Sequence, residues 1–408
     1  MKARQMVQTC VLSTRWRHLW RSAPCLNIDF DEFRTSAGTT TYASDTEGSE
    51  DDIDTESSED DIYSGDKEWE DFGDFAVYLM QRCSIAVLDS FRLRAPPFAF
   101  GKMEVGRWIR RALKNCALDP VIQREGMSST YWRLKKLHLC NVYLDDLFAK
   151  HVNSVCRSLE DLELDDCVCQ NMRSITSHSL KNLVLKNCDL GKLSEITSLT
   201  LKTLIIDGGS IQNTCLLVIL APAVAYLHLA MHVVYFGGWI SINEMSCLAK
   251  ALIHLMGNPF IKLGDNVLKL VCGVSNVNSL ELKGFGPMVL GEQSTPFQEF
   301  MNLKNLLLDN CYLTDDFKTL GLFLQNSPNL EKLTLQHCKF LNDSKKKKGT
   351  HKLNKPTSSQ CQSLDVQCKN LKLTEIIYKD DDVRQLVELL LHISGKVPKN
   401  YVKLTKVD

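Results

Sequence analysis

His228 and His232 stand four residues apart, the spacing with which two imidazoles on one helix face hold a zinc ion. Leu229 between them falls at a core position of an expected strand, and residues four apart on a strand share no helical face, so no zinc site is expected. Cys167 and Cys169 are too close for the usual zinc pair and have no second Cys or His pair at a fixed distance. Gly284, Gly286 and Gly291 approach a dinucleotide fingerprint, but the last is displaced and no strand–turn–helix unit encloses them; they read as a turn. Asp380, Asp381 and Asp382 could gather a cation. They precede the helical pattern Leu386, Val387, Leu390, Leu391, with Gln385 placed as a capping-box partner and Gly395 as the stop, so a helix cap is the better reading. Walker loop, GxSxG elbow and HExxH helix are all missing from the sequence. The expectation is a protein that is not an enzyme and uses no cofactor and no metal.

The elements that position any binding residues must come from 408 residues, 44% hydrophobic and 24% charged, a composition suited to a folded chain with a core. The longest apolar run, Cys215 to Leu227, contains Pro222 and falls short of the roughly 18 residues a membrane helix requires. No secretory pattern opens the sequence, so the 16 cysteines are read as thiols and the location as cytoplasmic and/or nuclear. The net charge of -1 hides an acidic segment: 15 acidic residues against Lys67 alone between Asp45 and Asp74. Residues 35–68 are therefore read as a disordered acidic insertion, in which Ser49 and Ser58 would suit an acidophilic kinase. A second insertion, 342–360, is a basic loop around Lys345 to Lys348, with nuclear import or anion contact as the alternative to a plain solvated loop.

Between the insertions the sequence repeats. Aligned on Leu-x-x-Leu-x-Leu, the middle leucine falls at Leu137, Leu162, Leu183, Leu204, Leu227, Leu280, Leu306 and Leu333. The wide gap from 227 to 280 places one degenerate unit between Met231 and Val277. Five residues past the middle leucine stands Cys167, Cys188, Cys311 or Cys338, where a small thiol can turn inward as the chain leaves its strand. The two leucines of Leu-x-Leu face one way and the residue between them the other. Each unit buries its leucines only by stacking on the next, so the expected fold is an α/β repeat solenoid: parallel strands along one face, returning by helices or irregular turns. This pattern resembles the cysteine-containing leucine-rich repeats over about 130–375.

Near the start, Leu12, Trp16, Leu19 and Trp20 recur at helical intervals, with Arg15, Arg17, His18 and Arg21 around the remaining circumference. This amphipathic helix needs a surface for its tryptophans, either as a cap on the solenoid or against a partner. Val11-Leu-Ser-Thr-Arg-Trp-Arg-His-Leu-Trp20 resembles the second half of the plant F-box, which binds the Skp-type adaptor of Cullin-RING ubiquitin ligases. Phe72-Gly-Asp-Phe-Ala-Val-Tyr-Leu, Leu88-Asp-Ser-Phe-Arg-Leu and the segment from Leu371 to Gly395 are also similar to plant F-box proteins with leucine-rich repeats. Family members begin with a Leu-Pro-containing first helix, and the segment before Val11 lacks it, so a shortened product or a start upstream of Met1 is expected.

The domain reading is a partial F-box at 1–25, the acidic insertion at 35–68, a linking segment that starts the array at 69–130, the leucine-rich-repeat solenoid at 131–375 and a C-terminal capping helix and tail at 376–408. The resemblance implies a substrate-recognition subunit of an SCF-type ligase. Cys10, Val11, Leu12, Trp16, Leu19 and Trp20 would contact the adaptor and, through it, the cullin. The alternative is an interaction scaffold without ligase coupling. Target-binding residues are sought at the outward strand positions: His138, Glu163, Val184, Ile205, His228, Glu281, Leu307 and Thr334. Apolar residues at the centre of that stripe hint at a protein contact, with strand propensity as the competing reading. Lacking a basic stripe with interleaved aromatics, the surface is a poor match for nucleic acid; no membrane partner is expected.

Overall fold

The computed structural model describes residues 7–8, 23–32, 59–82, 88–97, 105–110, 133–169, 171–211, 216–232, 239–243, 245–258, 265–286, 297–314, 318–341, 368–379 and 401–407. The chain divides into two compact units, Met1–Val168 and Cys169–Asp408.

In the first unit, strands β1 (Cys25–Asp29), β2 (Ser90–Arg94), β3 (Lys136–Cys140) and β4 (Asp161–Asp165) pair in parallel. Their register stacks Leu26, Phe91, Leu137 and Leu162 in one row and Ile28, Leu93, Leu139 and Leu164 in the next. All eight side chains are buried, which is the period-two alternation of a half-buried strand repeated four times. Helix α1 (Glu59–Arg82) places Phe72, Ala76, Leu79 and Met80 at helical spacing, and all four are buried. Phe72 meets Phe30 edge-on at 5.2 Å, and Trp69 stacks on Trp108 at 5.5 Å. Helix α2 (Asp146–Val155) starts at Asp145, whose carboxylate accepts from the Phe148 N–H at 3.1 Å and also pairs with Arg110. α1 begins at Glu59, inside the segment 35–68 that the sequence assigns to the acidic insertion.

Among the described residues, the main sheet of the second unit carries nine parallel strands: β5 (Asn182–Lys186), β6 (Thr203–Asp207), β7 (Tyr226–His232), β8 (Lys250–Met256), β9 (Ser279–Lys283), β10 (Asn305–Asp309), β11 (Lys332–Gln336), β12 (Leu373–Tyr378) and β13 (Tyr401–Lys406). The inner row runs Leu183, Leu204, Leu227, Ala251, Leu280, Leu306, Leu333, Thr374. Each of these is buried. β8 is the degenerate unit expected between Met231 and Val277; Ala251 stands there in place of the leucine. At the entries of β6 to β12, adjacent N–H groups converge on one carbonyl of the preceding repeat, as Lys202 and Thr203 do on Lys181 at 2.7 and 3.0 Å. The unit is a parallel-strand repeat solenoid.

The return path depends on repeat length. Repeats of 21 to 24 residues return through short strands, Ser174–Thr176, Glu195–Thr197, Leu216–Leu220 and Trp239–Asn243, which pair in parallel as a second sheet. Three longer repeats hold helices: α2 in the first unit, and α3 (Asp265–Gly273) and α4 (Lys318–Gln325) in the second. An extended residue advances about 3.3 Å and a helical one about 1.5 Å, so a short return must be extended to span the same layer. The expectation of helices or irregular turns is corrected at these four places.

The ladder is also wider than residues 131–375. β2 lies in the 69–130 segment read as starting the array, β1 precedes it, and β13 follows, pairing with β12 where the sequence suggested a tail. Residues 380–395, expected to form the capping helix, lie outside the described residues, as do 342–360.

At the strand exits the chain turns left-handed. Asn141, Asp166, Asn187, Asn310 and His337 have φ between 48° and 60°, and Gly208 and Gly284 occupy the equivalent place at 74° and 72°. Asn and Gly tolerate this conformation best. The expected inward thiols follow directly. Cys167, Cys188 and Cys311 are buried, and Cys338 is nearly so. Cys167, Cys311 and Cys338 donate across to the preceding repeat at Leu139, Leu282 and Leu308 carbonyls, each at 3.4 Å. Burial pushes the Cys338 thiol up to about 12, so it stays protonated.

Candidate binding surface

Within each unit the outward position of each main-sheet strand falls in line with that of its paired neighbour, since a parallel ladder without slips repeats side-chain direction at each rung. In the first unit the line is Asn27, Arg92, His138, Glu163. His138 Nδ1 lies 3.5 Å from the Glu163 carboxylate. In the second unit the line is Val184, Ile205, His228, Leu252, Glu281, Leu307, Thr334, Glu375, Lys403. The eight residues expected from the sequence are thus brought into outward rows, two in the first unit and six in the second. Asn27, Arg92, Leu252, Glu375 and Lys403 were missed. Their signal was the same alternation, in Leu26-x-Ile28, Phe91-x-Leu93, Ala251-x-Ile253, Thr374-x-Ile376 and Val402-x-Leu404, obscured where leucine is replaced.

The second-unit row changes character along its length. Val184, Ile205, Leu252 and Leu307 are half-buried apolar side chains, with His228 and Glu281 among them. Thr334 is an exception to the expected exposure, at 5%. Beyond it the surface is charged and internally paired. Glu375 receives Lys403 at 2.8 Å and Lys332 at 3.0 Å, and these two hydrogen-bonded ammonium groups hold its carboxyl below the ordinary range. Asp309 takes Lys283 at 3.2 Å and His337 at 3.4 Å.

His228, and His254 on the adjacent strand, share this face. Burial depresses both imidazoles below their ordinary 6.5, with Asp207 and Glu281 pulling His228 the other way and Lys283 adding to the depression at His254. Both are neutral at pH 7. His228 and His232 both stand on β7, four residues and about 13 Å apart along an extended strand.

In the first unit, Cys140, Asp165 and Asp166 bring ligand atoms within 4.8 Å of one another. Sequence spacing could not reveal this group, because it joins the exits of β3 and β4. Burial raises the Cys140 thiol to about 11, and Arg94 adds a positive charge beside it. A protonated thiol beside a guanidinium is a poor cation ligand, so no metal is assigned.

Cys10, Val11, Leu12, Trp16, Leu19 and Trp20 lie outside the described residues. Among the described residues no helix is long and apolar enough to cross a membrane.

The chain is similar along its whole length to a meiotic F-box protein of Oryza sativa subsp. japonica, with 26% identity over 438 aligned residues that cover 82% of that protein. It is also similar to an F-box/FBD/LRR-repeat protein of Arabidopsis thaliana, with 22% identity over 387 residues covering 83% of this chain and 74% of the relative. No protein-family model matches the chain. Its homologues are plant F-box proteins.

Proposed function

We propose that this chain is a substrate-recognition subunit of an SCF-type ubiquitin ligase, in which the N-terminal segment docks on a Skp-type adaptor, linked in turn to a cullin, and the outward face of the solenoid holds a protein target. The observation that carries the reading is the likeness to an F-box protein over the entire chain, including the segment from Val11 to Trp20. The outward row supports the target side: a line of half-buried valine, isoleucine and leucine is costly to leave in water and is of the composition that partner proteins cover. Such a subunit breaks no bond itself. It accelerates transfer by holding the target beside the conjugating enzyme, which raises effective concentration. Its place of action would be the cytoplasm and/or nucleus.

The test is capture of purified Skp-type adaptor by the full chain. Wild type should retain the adaptor, and the Trp16→Ala/Trp20→Ala variant should lose it while keeping the circular dichroism of the solenoid. Equal retention by both removes these residues from the interface. No capture by wild type favours a scaffold without ligase coupling.

A further inference from the structure

The outward row holds one carboxylate set between two leucines. Glu281 on β9 has Leu252 on one side and Leu307 on the other as its direct ladder partners. Among the described residues, no ion pair or side-chain hydrogen bond engages Glu281. The neighbouring cations are committed elsewhere: Lys283 to Asp309 at 3.2 Å, and Lys250 over the Tyr226 ring at 5.8 Å. His228, farther along the row, is held neutral and does not supply the missing charge. A second carboxylate, Asp207, lies on the far side of His228, with Lys186 opposite it in the ladder. Toward β12 and β13 the acids are already matched by lysines. The unmatched charge on this face is therefore negative and is bordered by apolar side chains.

Resting on the target-binding reading above, we propose that the second unit recognises a target segment presenting a lysine or arginine between apolar side chains, with the cation seated on Glu281 and the apolar groups on Leu252 and Leu307. Strands lie about 4.8 Å apart, so the three side chains span roughly 10 Å. A segment of a few residues covers that distance. The two leucines exclude water from the ion pair, which makes it stronger than an open surface pair. An acidic segment would meet Glu281 and Asp207 with like charge and be rejected.

The test uses the full chain, immobilised, and a phage-displayed random peptide library. Wild type should enrich peptides with Lys or Arg next to Leu, Ile, Val or Phe. Glu281→Lys should shift enrichment to Asp or Glu in the same apolar setting. For a synthetic peptide from the wild-type selection, Glu281→Gln should weaken binding by about threefold or more. Glu281 faces outward, so both variants should unfold at the wild-type urea midpoint. No basic enrichment, or the same enrichment with Glu281→Lys, overturns the proposal. Self-association that Glu281→Lys abolishes would make the occupant a second copy and overturn it as well. Adaptor capture on the same samples reports separately on the ligase reading, since Glu281 is remote in sequence from Val11–Trp20.

Discussion

An alanine at position 209 would put its methyl carbon 2.0 Å from the Cys188 carbonyl oxygen and 2.7 Å from the Cys188 nitrogen, both backbone atoms of the preceding repeat. Gly209 also has φ +83°, where a side chain costs about 1–2 kcal/mol. Relieving the clash requires the two exits to separate. That threatens the Ser210 N–H to Cys188 carbonyl bond at 3.1 Å and the Ser210 hydroxyl to Asp189 bond at 3.0 Å, worth about 1 kcal/mol each. Gly209→Ala should therefore cost about 3–4 kcal/mol. Gly208→Ala is the internal control: its φ is +74°, but its methyl group meets the Asn187 side-chain oxygen at 2.4 Å, which can swing away. Only the left-handed cost of about 1–2 kcal/mol should remain. Native-state hydrogen exchange of amides in β5 and β6 reads the difference, since repeat arrays open locally. Protection should fall by roughly two to three orders of magnitude for Gly209→Ala and by about one for Gly208→Ala. Equal losses, or no loss at Gly209, would refute the argument that backbone packing between exits sets the turn.

Leu183→Ala, at a fully buried inner position, should destabilise by about 2–5 kcal/mol, whereas Val184→Ala beside it should cost under about 1 kcal/mol; paired urea melts check this. Asp145→Ala removes both the cap on Phe148 and the partner of Arg110, and should cost about 1–3 kcal/mol in the first unit, read as lost exchange protection in 146–149. His228 and His254 have depressed values, so the unfolded chain takes up their protons first. Their contribution is present above 6.5 and is lost as pH falls below that value toward their folded-state values. The urea midpoint should consequently drop between pH 7 and 5, and His228→Gln/His254→Gln should flatten that drop.

Much of the solenoid was legible because one physical demand repeats: leucines two apart must share an interior. The demand even located β8, where Ala251 breaks the leucine pattern but spacing does not. β1 was hidden because the acidic insertion separates it from the regular array, and in β2, within the segment read as starting the array, Phe91 carries the position that leucine holds elsewhere. The second sheet was hidden because its choice over helices depends on the length left for the return rather than on local residues. The left-handed exits use Asn, Asp, Gly and His, so the shared feature is a backbone angle rather than a residue type. The outward row was readable by alternation, but the pairing of Lys283, Lys332 and Lys403 away from Glu281 depends on neighbours in other repeats. No single segment carries that information.

Hydroxyl-radical footprinting of the intact chain, read residue by residue by mass spectrometry, tests most directly whether alternate side chains divide between a shared interior and an outward row. Val184, Ile205, Leu252 and Leu307 should be oxidised while Leu183, Leu204, Ile253 and Leu306 are protected. Equal oxidation within these adjacent pairs would contradict the account.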